Sequence, residues 1–339
     1  MQTIHLIFDF IYNNNNAINK NMSVPKVSVC VVTYNQEKYI ETCLRSILDQ
    51  QVNFPIEIII SDDASTDATP DIIRKFHQQY PAIIKPMLHA TNISAGVNFQ
   101  VAHNAATGEY VAHCDGDDYF LPGKLQFQAD FLDKNPAYVQ VWHRQQLVDS
   151  DNNIVGKFPY RYLKILLGGK LSLKHLAISY GRVGQHSSQM YRRTARTVYE
   201  NFPATIDYFY ALNIGAKGYS TQINKVLGCY RTGDASTLTT TSKGKIFVEK
   251  ALGDAALFYT EKYGLGKQFY GNLWVRKMQA DYSKAPISAE FLERFEKIKK
   301  YNTLLYKLKS LSVALIIHSS LNPFRLLKGF LKVKLKKAS

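Results

Sequence analysis

Long apolar runs are missing from this 339-residue sequence. The best, SLSVALIIHSSL at 310–321, falls well short of the roughly 20 residues a membrane-spanning helix needs. Cysteine is scarce: Cys30, Cys43, Cys114 and Cys229 are widely spaced, with no C-x-x-C pair, which argues against zinc and thioredoxin-like chemistry. Apolar neighbours around Cys30 and Cys114 suggest buried thiols in a reducing compartment. No glycine-rich phosphate loop follows the first strand, where TYNQEKY stands, so a P-loop type of nucleotidyl chemistry lacks its cradle. No RNA- or DNA-binding motif appears either, so nucleic acid is not an expected partner. The N-terminal stretch has an apolar patch but neither a basic leader nor a small-residue cleavage site, which argues against a secretory signal. No internal repeat is visible. Acidic residues vanish from about Lys300 onward.

What is present is a positive balance, 42 Lys and Arg against 27 Asp and Glu, for a formal charge of +15. Such a balance points to an anionic partner, whether phosphorylated substrate, membrane surface or nucleic acid. A hydrophobic content of 46% is ordinary for a globular core. The length fits one large domain with an appendage, or two small domains. Residues 1–22, with their NNNN tract, read as a disordered tail without chemistry; Met22, just before the first strand, is an alternative start.

From Lys26 the pattern becomes regular. KVSVCVVTY is β-branched and reads as a buried strand. Asn35 is placed to cap a helix over QEKYIETCLRSILDQ, whose Ile40, Leu44, Ile47 and Leu48 share one face. PIEIIIS is a second strand, and Thr69–Pro70 suit the start of a helix over PDIIRKFHQQY. IIKPMLH is a weaker third strand. A helix from about Val97 to Ala106, the strand EYVAHC and a helix from about Pro122 to Lys134 complete the series. Strands alternating with helices predict an α/β fold with a mostly parallel central sheet. Ligands bind beyond the carboxyl ends of such strands. Three polar clusters fall there: Thr33-Tyr34-Asn35, Asp62-Asp63 and Asp115 to Asp118. After about residue 140 the pattern weakens, through segments such as YRYLKIL and SSQMYRR. From about Lys243 the chain turns helical.

Asp115 and Asp117 form D-x-D. Side chains two apart on an extended segment can converge on one hard cation, with Gly116 permitting a sharp bend or close approach. Helix capping is the alternative; it explains one aspartate well and three poorly. EF-hand spacing is absent. Asp62 and Asp63 either shape the loop DDASTDAT or accept hydrogen bonds from a base or ribose.

Together these clusters resemble the family 2 glycosyltransferases, which have the GT-A nucleotide-sugar-binding fold. VSVCVVTYNQEKYIETCLRSILDQ is similar to that family's opening strand and helix, IEIIISDDASTDAT to its nucleotide-binding loop, and GEYVAHCDGDDYFLPGKLQFQADFL to its metal-binding segment. The likeness spans about residues 26 to 150, with three motifs in order. It implies donor binding by Thr33, Tyr34, Asn35, Asp62, Asp63, Asn98, Asp115 and Arg231. A divalent cation, manganese or magnesium, would rest on Asp115 and Asp117. Asp118 would support the loop or face the acceptor. Asp207, in FPATIDYFYALNIGAKGY, would be the general base of an inverting displacement; its plain alternative is a charge at a helix start. His186 resembles an acceptor-side pocket residue, although a lone histidine is more often structural. In GCYRTGDAST the family's usual histidine is replaced by Thr232.

The resemblance implies an inverting, metal-dependent hexosyltransferase with a nucleotide-diphosphate sugar as donor and a glycan or lipid-linked acceptor, in cell-surface polysaccharide synthesis. The competing reading is a non-catalytic nucleotide-sugar or carbohydrate-binding module on the same fold. The expected division is a GT-A domain over residues 23–242 and a helical region over 243–339. In the latter, FRLLKGFLKVKLKK reads as a basic amphipathic helix on anionic lipid. That places the protein in the cytoplasm, peripheral at the inner face of the membrane.

Overall fold

The computed structural model describes residues 24–157, 169–179, 184–197, 207–232, 242–283 and 286–317. The expectations for residues 1–22, for YRYLKIL and for the basic stretch after 318 lie outside the described residues. Four β-branched or apolar segments form the first half of the sheet: β1 (Val27–Thr33), β2 (Ile56–Asp62), β3 (Ile84–Leu88) and β4 (Tyr110–Asp115). They pair in parallel in the order β3-β2-β1-β4. Registers Thr33↔Asp62 and Val32↔Asp115 put the polar ends of β1, β2 and β4 on one rim, as the alternating pattern predicted.

The second half is mixed. β8 (Met190–Arg192) runs antiparallel to both β4 and β6 (Tyr138–Val148), and β6 is parallel to β9 (Tyr219–Arg231). The two-residue β5 (Tyr119–Phe120) pairs antiparallel with the far part of β9, and β7 (Ile154–Lys157) with β6. The parallel expectation therefore holds for the first half of the sheet. Strands β5 and β8 are too short to have shown a period.

Helices α1 (Ile40–Leu48), α2 (Thr69–Gln79) and α4 (Lys124–Lys134) cover one face, packing Ile40, Leu44, Ile47, Ile73, Phe76 and Leu125 against Val29, Val31 and Ile58. α3 (Ala95–Asn104) covers the other, where Ala102 meets Cys30, Ile59 and Val111. All four cysteines are buried free thiols. Two helix starts differ from expectation. Asn35 is not the cap of α1: it adopts φ 52°, its carboxamide accepts from Thr66 N at 2.8 Å, and a turn through Tyr39 intervenes. Gly123, left-handed at φ +83°, delays α4 to Lys124.

The remaining helices are α5 (Leu173–Ile178), α6 (Asp207–Gly215), α7 (Ser242–Tyr263), α8 (Gly266–Ser283), α9 (Ala289–Ile298) and α10 (Leu304–Ile317). They confirm the helical C-terminal region. Its core is continuous with earlier elements: Tyr259, Phe269 and Phe291 pack with Leu176 of α5 and Tyr208, Phe209 and Leu212 of α6. No described helix is long and apolar enough to cross a membrane.

Candidate active site

The loops after β1 and β2 are stitched to each other. Asn35 N donates to Ser65 Oγ, Gln36 N to Thr69 Oγ1 and Glu37 N to Asp67 Oδ2, while Ala68 N returns to Glu37 Oε2. Asp62, 1% exposed, spends its carboxylate inside this loop, accepting from Ser65 N at 3.1 Å and from Ser65 Oγ. Asp63 accepts from Ile93 N at 2.6 Å, which fixes the end of the β3–α3 connection just before α3. Thr33 is buried and its hydroxyl donates to Gln36 Oε1, whereas Tyr34 stands half exposed at the rim. Asn98 is buried behind the rim, its amide donating to Ser61 O at 3.0 Å and accepting from Ser61 Oγ. These residues converge on one rim, where Asp62 also holds its own loop and Asn98 holds the end of β2.

The acidic loop sits beside them. Gly116 N donates to Val32 O at 2.9 Å, drawing the loop against the end of β1. A Cβ there would stand 2.8 Å from Thr33 Oγ1, so glycine is required by close approach. Asp115 N donates to Ser187 Oγ at 3.0 Å, and that hydroxyl returns its proton to Asp115 Oδ2 at 3.2 Å. Asp115 Oδ1 faces His113 Nε2 at 3.0 Å. Burial pushes the Asp115 carboxyl up, but His113, with His186 and Ser187, holds it below the ordinary aspartate value. Asp118 behaves oppositely: burial first, then Asp117 and Asp115, push it well above that value. Its Oδ1 accepts from Arg231 N, and its Oδ2 has no protein partner.

Arg231, 4% exposed, clamps the loop from the end of β9. Its guanidinium donates to Asp117 O, Asp149 O and Asn152 Oδ1, and lies 4.0 Å over the Tyr39 ring. Three of its five N–H donors are thus engaged in holding the fold around Asp117. Thr232, where the family's usual histidine would stand, is bonded to Val148 O through its backbone N–H.

Asp207 opens α6 and is exposed. His186, in the turn before β8, feels both Asp207 and Asp115; burial and His113 nonetheless press its imidazole down to about 4, so it is neutral at ordinary pH. One histidine thus lies within electrostatic reach of the acidic loop on one side and of the head of α6 on the other. His113 and Ser187 escaped the sequence reading. Yet His113 lies two residues before Asp115 on a strand, hence on the same face.

Among the described residues, no three His, Cys, Asp or Glu side chains converge into a ready cation cage. Asp115 and Asp117 still present hard carboxylate oxygens. His113 and Ser187 take one lone pair each from Asp115, leaving others for a cation whose shell is completed by substrate oxygens.

The family model for glycosyl transferase family 2 matches residues 28–195. An uncharacterized protein of Mycobacterium tuberculosis is 34% identical over 209 residues, 60% of this chain and 58% of that one. The chain thus spans less than two thirds of that relative's length. S. aureus TarS 1–349, solved in complex with UDP-GlcNAc, superposes with TM-score 0.65 at 18% identity, covering 91% of this chain and 92% of TarS. The mannosyltransferase PcManGT from Pyrobaculum calidifontis, solved in complex with GDP-Man and Mn2+, gives 0.54 at 15% identity, covering 94% of each. These likenesses establish the expected GT-A architecture, with a helical region appended.

Proposed function

Because residues 28–195 belong to glycosyl transferase family 2, we propose that this chain moves a sugar from a nucleotide-diphosphate donor to a hydroxyl of a glycan or lipid-linked acceptor. The observation that carries this is the common rim. Thr33, Asp62 and Asp115 end adjacent parallel strands, and Asp207 lies close enough to be felt by the same His186 that feels Asp115. The loop from Thr33 to Asn35 and Asp63 form the nucleotide side. Asp115 faces the ribose, and Asp115 with Asp117 would hold manganese or magnesium, in keeping with the Mn2+ of the mannosyltransferase neighbour. Bound there, such a cation supplies charge neutralisation for the departing diphosphate.

The chain's own residues supply the rest. Arg231 fixes the backbone of Asp117. Exposed Asp207 takes the proton of the attacking hydroxyl, and a single displacement inverts the anomeric carbon. The acceptor belongs to cell-surface polysaccharide or glycolipid assembly on the inner face of the membrane. In support, Leu304, Leu305 and Leu308 are exposed at the head of α10, which leads into the basic C-terminal sequence.

The test is manganese-dependent thermal shift across a panel of UDP-, GDP- and dTDP-sugars, followed by transfer assays with the stabilising donor. One donor should raise Tm only with the metal present, and Asp117→Ala should abolish both stabilisation and transfer. Full turnover by Asp117→Ala would sink the metal assignment. Donor binding without hydrolysis or transfer, across a broad acceptor panel, would favour a binding module instead.

A further inference from the structure

Asp115, its side chain 36% exposed at the rim, ends a chain of three buried side chains. Tyr191 Oη of β8 lies 2.8 Å from His103 Nδ1, in the last turn of α3. His103 Nε2 lies 3.0 Å from His113 Nδ1, and His113 Nε2 lies 3.0 Å from Asp115 Oδ1. Tyr191, His103 and His113 are each at most 2% exposed, so no bulk water competes for these atoms. Phe99 stacks on the rings of both His103, at 3.8 Å, and His186, at 4.8 Å, which restricts their rotation.

The inventory of donors fixes a direction. An ionised carboxylate only accepts, so His113 carries its proton on Nε2. Its Nδ1 then accepts from His103 Nε2–H, and His103 Nδ1 accepts the Tyr191 hydroxyl proton. Burial first, then His113, Arg196 and His186, press His103 well below the ordinary histidine range, into the neutral form this direction requires. The positive charge of Arg196 acts on Tyr191 at the far end. Every link therefore points from a cation to a carboxylate, and each polarises the next. The reverse direction would need a second positive charge in the same dry core.

We propose that Tyr191, His103 and His113 form a directional hydrogen-bond chain that fixes the orientation of the Asp115 carboxylate for the nucleotide-sugar donor. They are positioning residues, since they act through Asp115 and do not reach the donor themselves. The inference rests on the reading of Asp115 as a donor contact.

Long-range 1H–15N spectra of histidine-labelled protein read the tautomers directly. Both His103 and His113 should be protonated on Nε2 and bare on Nδ1. Tyr191→Phe removes the terminal donor and leaves His103 Nδ1 unpaired; it should shift the His103 Nδ1 resonance and lower kcat/KM for the donor about tenfold, the worth of one hydrogen bond, with a modest fall in Tm. His113→Gln, which keeps an N–H near Asp115, should recover much of the donor affinity lost in His113→Leu. Affinity is read by calorimetric titration with UDP and with GDP in manganese. An Nδ1–H on either wild-type histidine would overturn the chain. So would a Tyr191→Phe variant with an unshifted His103 Nδ1 resonance and unaltered nucleotide affinity. If wild type binds neither nucleotide, the donor reading of Asp115 fails, and with it the chain's role toward a donor; the spectra would still decide whether the chain itself exists.

Discussion

The backbone N–H of Arg231 donates to Asp118 Oδ1 at 2.8 Å, joining residues 113 positions apart. Through this bond and the Arg231 side chain, the end of β9 holds the acidic loop that begins at β4. The loop's shape is therefore set by a strand formed much later in the chain.

Arg231→Lys tests that clamp. Lysine keeps the charge but not the planar fork that reaches Asp117 O, Asp149 O and Asn152 together. Urea unfolding should show a loss of about 2 kcal/mol, the scale of a charged group's hydrogen bonds. Transfer should fall further than stability alone explains, because Asp117 loses its anchor.

Gly116→Ala should cost about 1–3 kcal/mol, read as a lower Tm, since the new methyl meets Thr33 and Gln36 at the end of β1. Combined with Gln36→Ala the cost should shrink, because one of the two obstructing side chains is gone. The non-additivity is the signature of direct contact.

Glu57 gives a pH dependence. Burial opposes its ionisation, but Lys85, Ser28 and Thr107 outweigh that and hold the carboxyl below its usual 4.5. A folded value below the unfolded one means that the unfolded chain takes up the proton first as pH falls. The contribution is fully present above 4.5 and is lost as pH drops through the lower folded value. Glu57→Gln should be less stable than wild type near neutrality. Below pH 4.5 the gap should narrow, measured by urea midpoints across a pH series.

A chain ending at Ile317 tests the membrane reading. α10 packs on α8, with Leu311 buried and Gly271 against Tyr306, so cutting earlier would damage the core. The shortened protein should keep its Tm and its donor binding. It should sediment less with vesicles containing anionic lipid than the full chain does, and salt should weaken the difference.

The rim was legible because β-branched strands carry a strong local signal and parallel pairing aligns their ends. Thr33, Asp63 and Asp115 could be grouped from their positions alone. What local pattern could not show was competition for atoms. Asp62 and Asn98 look like ligand contacts in one dimension, yet they also hold the end of β2 and its loop through Ser61 and Ser65. Asn35 has the chemistry of a cap, and the neighbouring loop claimed it instead. The surroundings of Asp115 were hidden for a related reason: Ser187, and His103 behind His113, arrive from other elements, and only the fold brings them to β4.

Asp207 heads α6, whose Tyr208, Phe209 and Leu212 are embedded among the helices of the C-terminal region. The residue assigned to deprotonate the acceptor is therefore built on the appended bundle as much as on the nucleotide-binding sheet. Anyone grafting a different acceptor module onto this scaffold would have to cut ahead of α6 and carry the helix along. A chimera joined after Gly215 would import a new bundle but leave the base on a helix whose packing surface had been replaced.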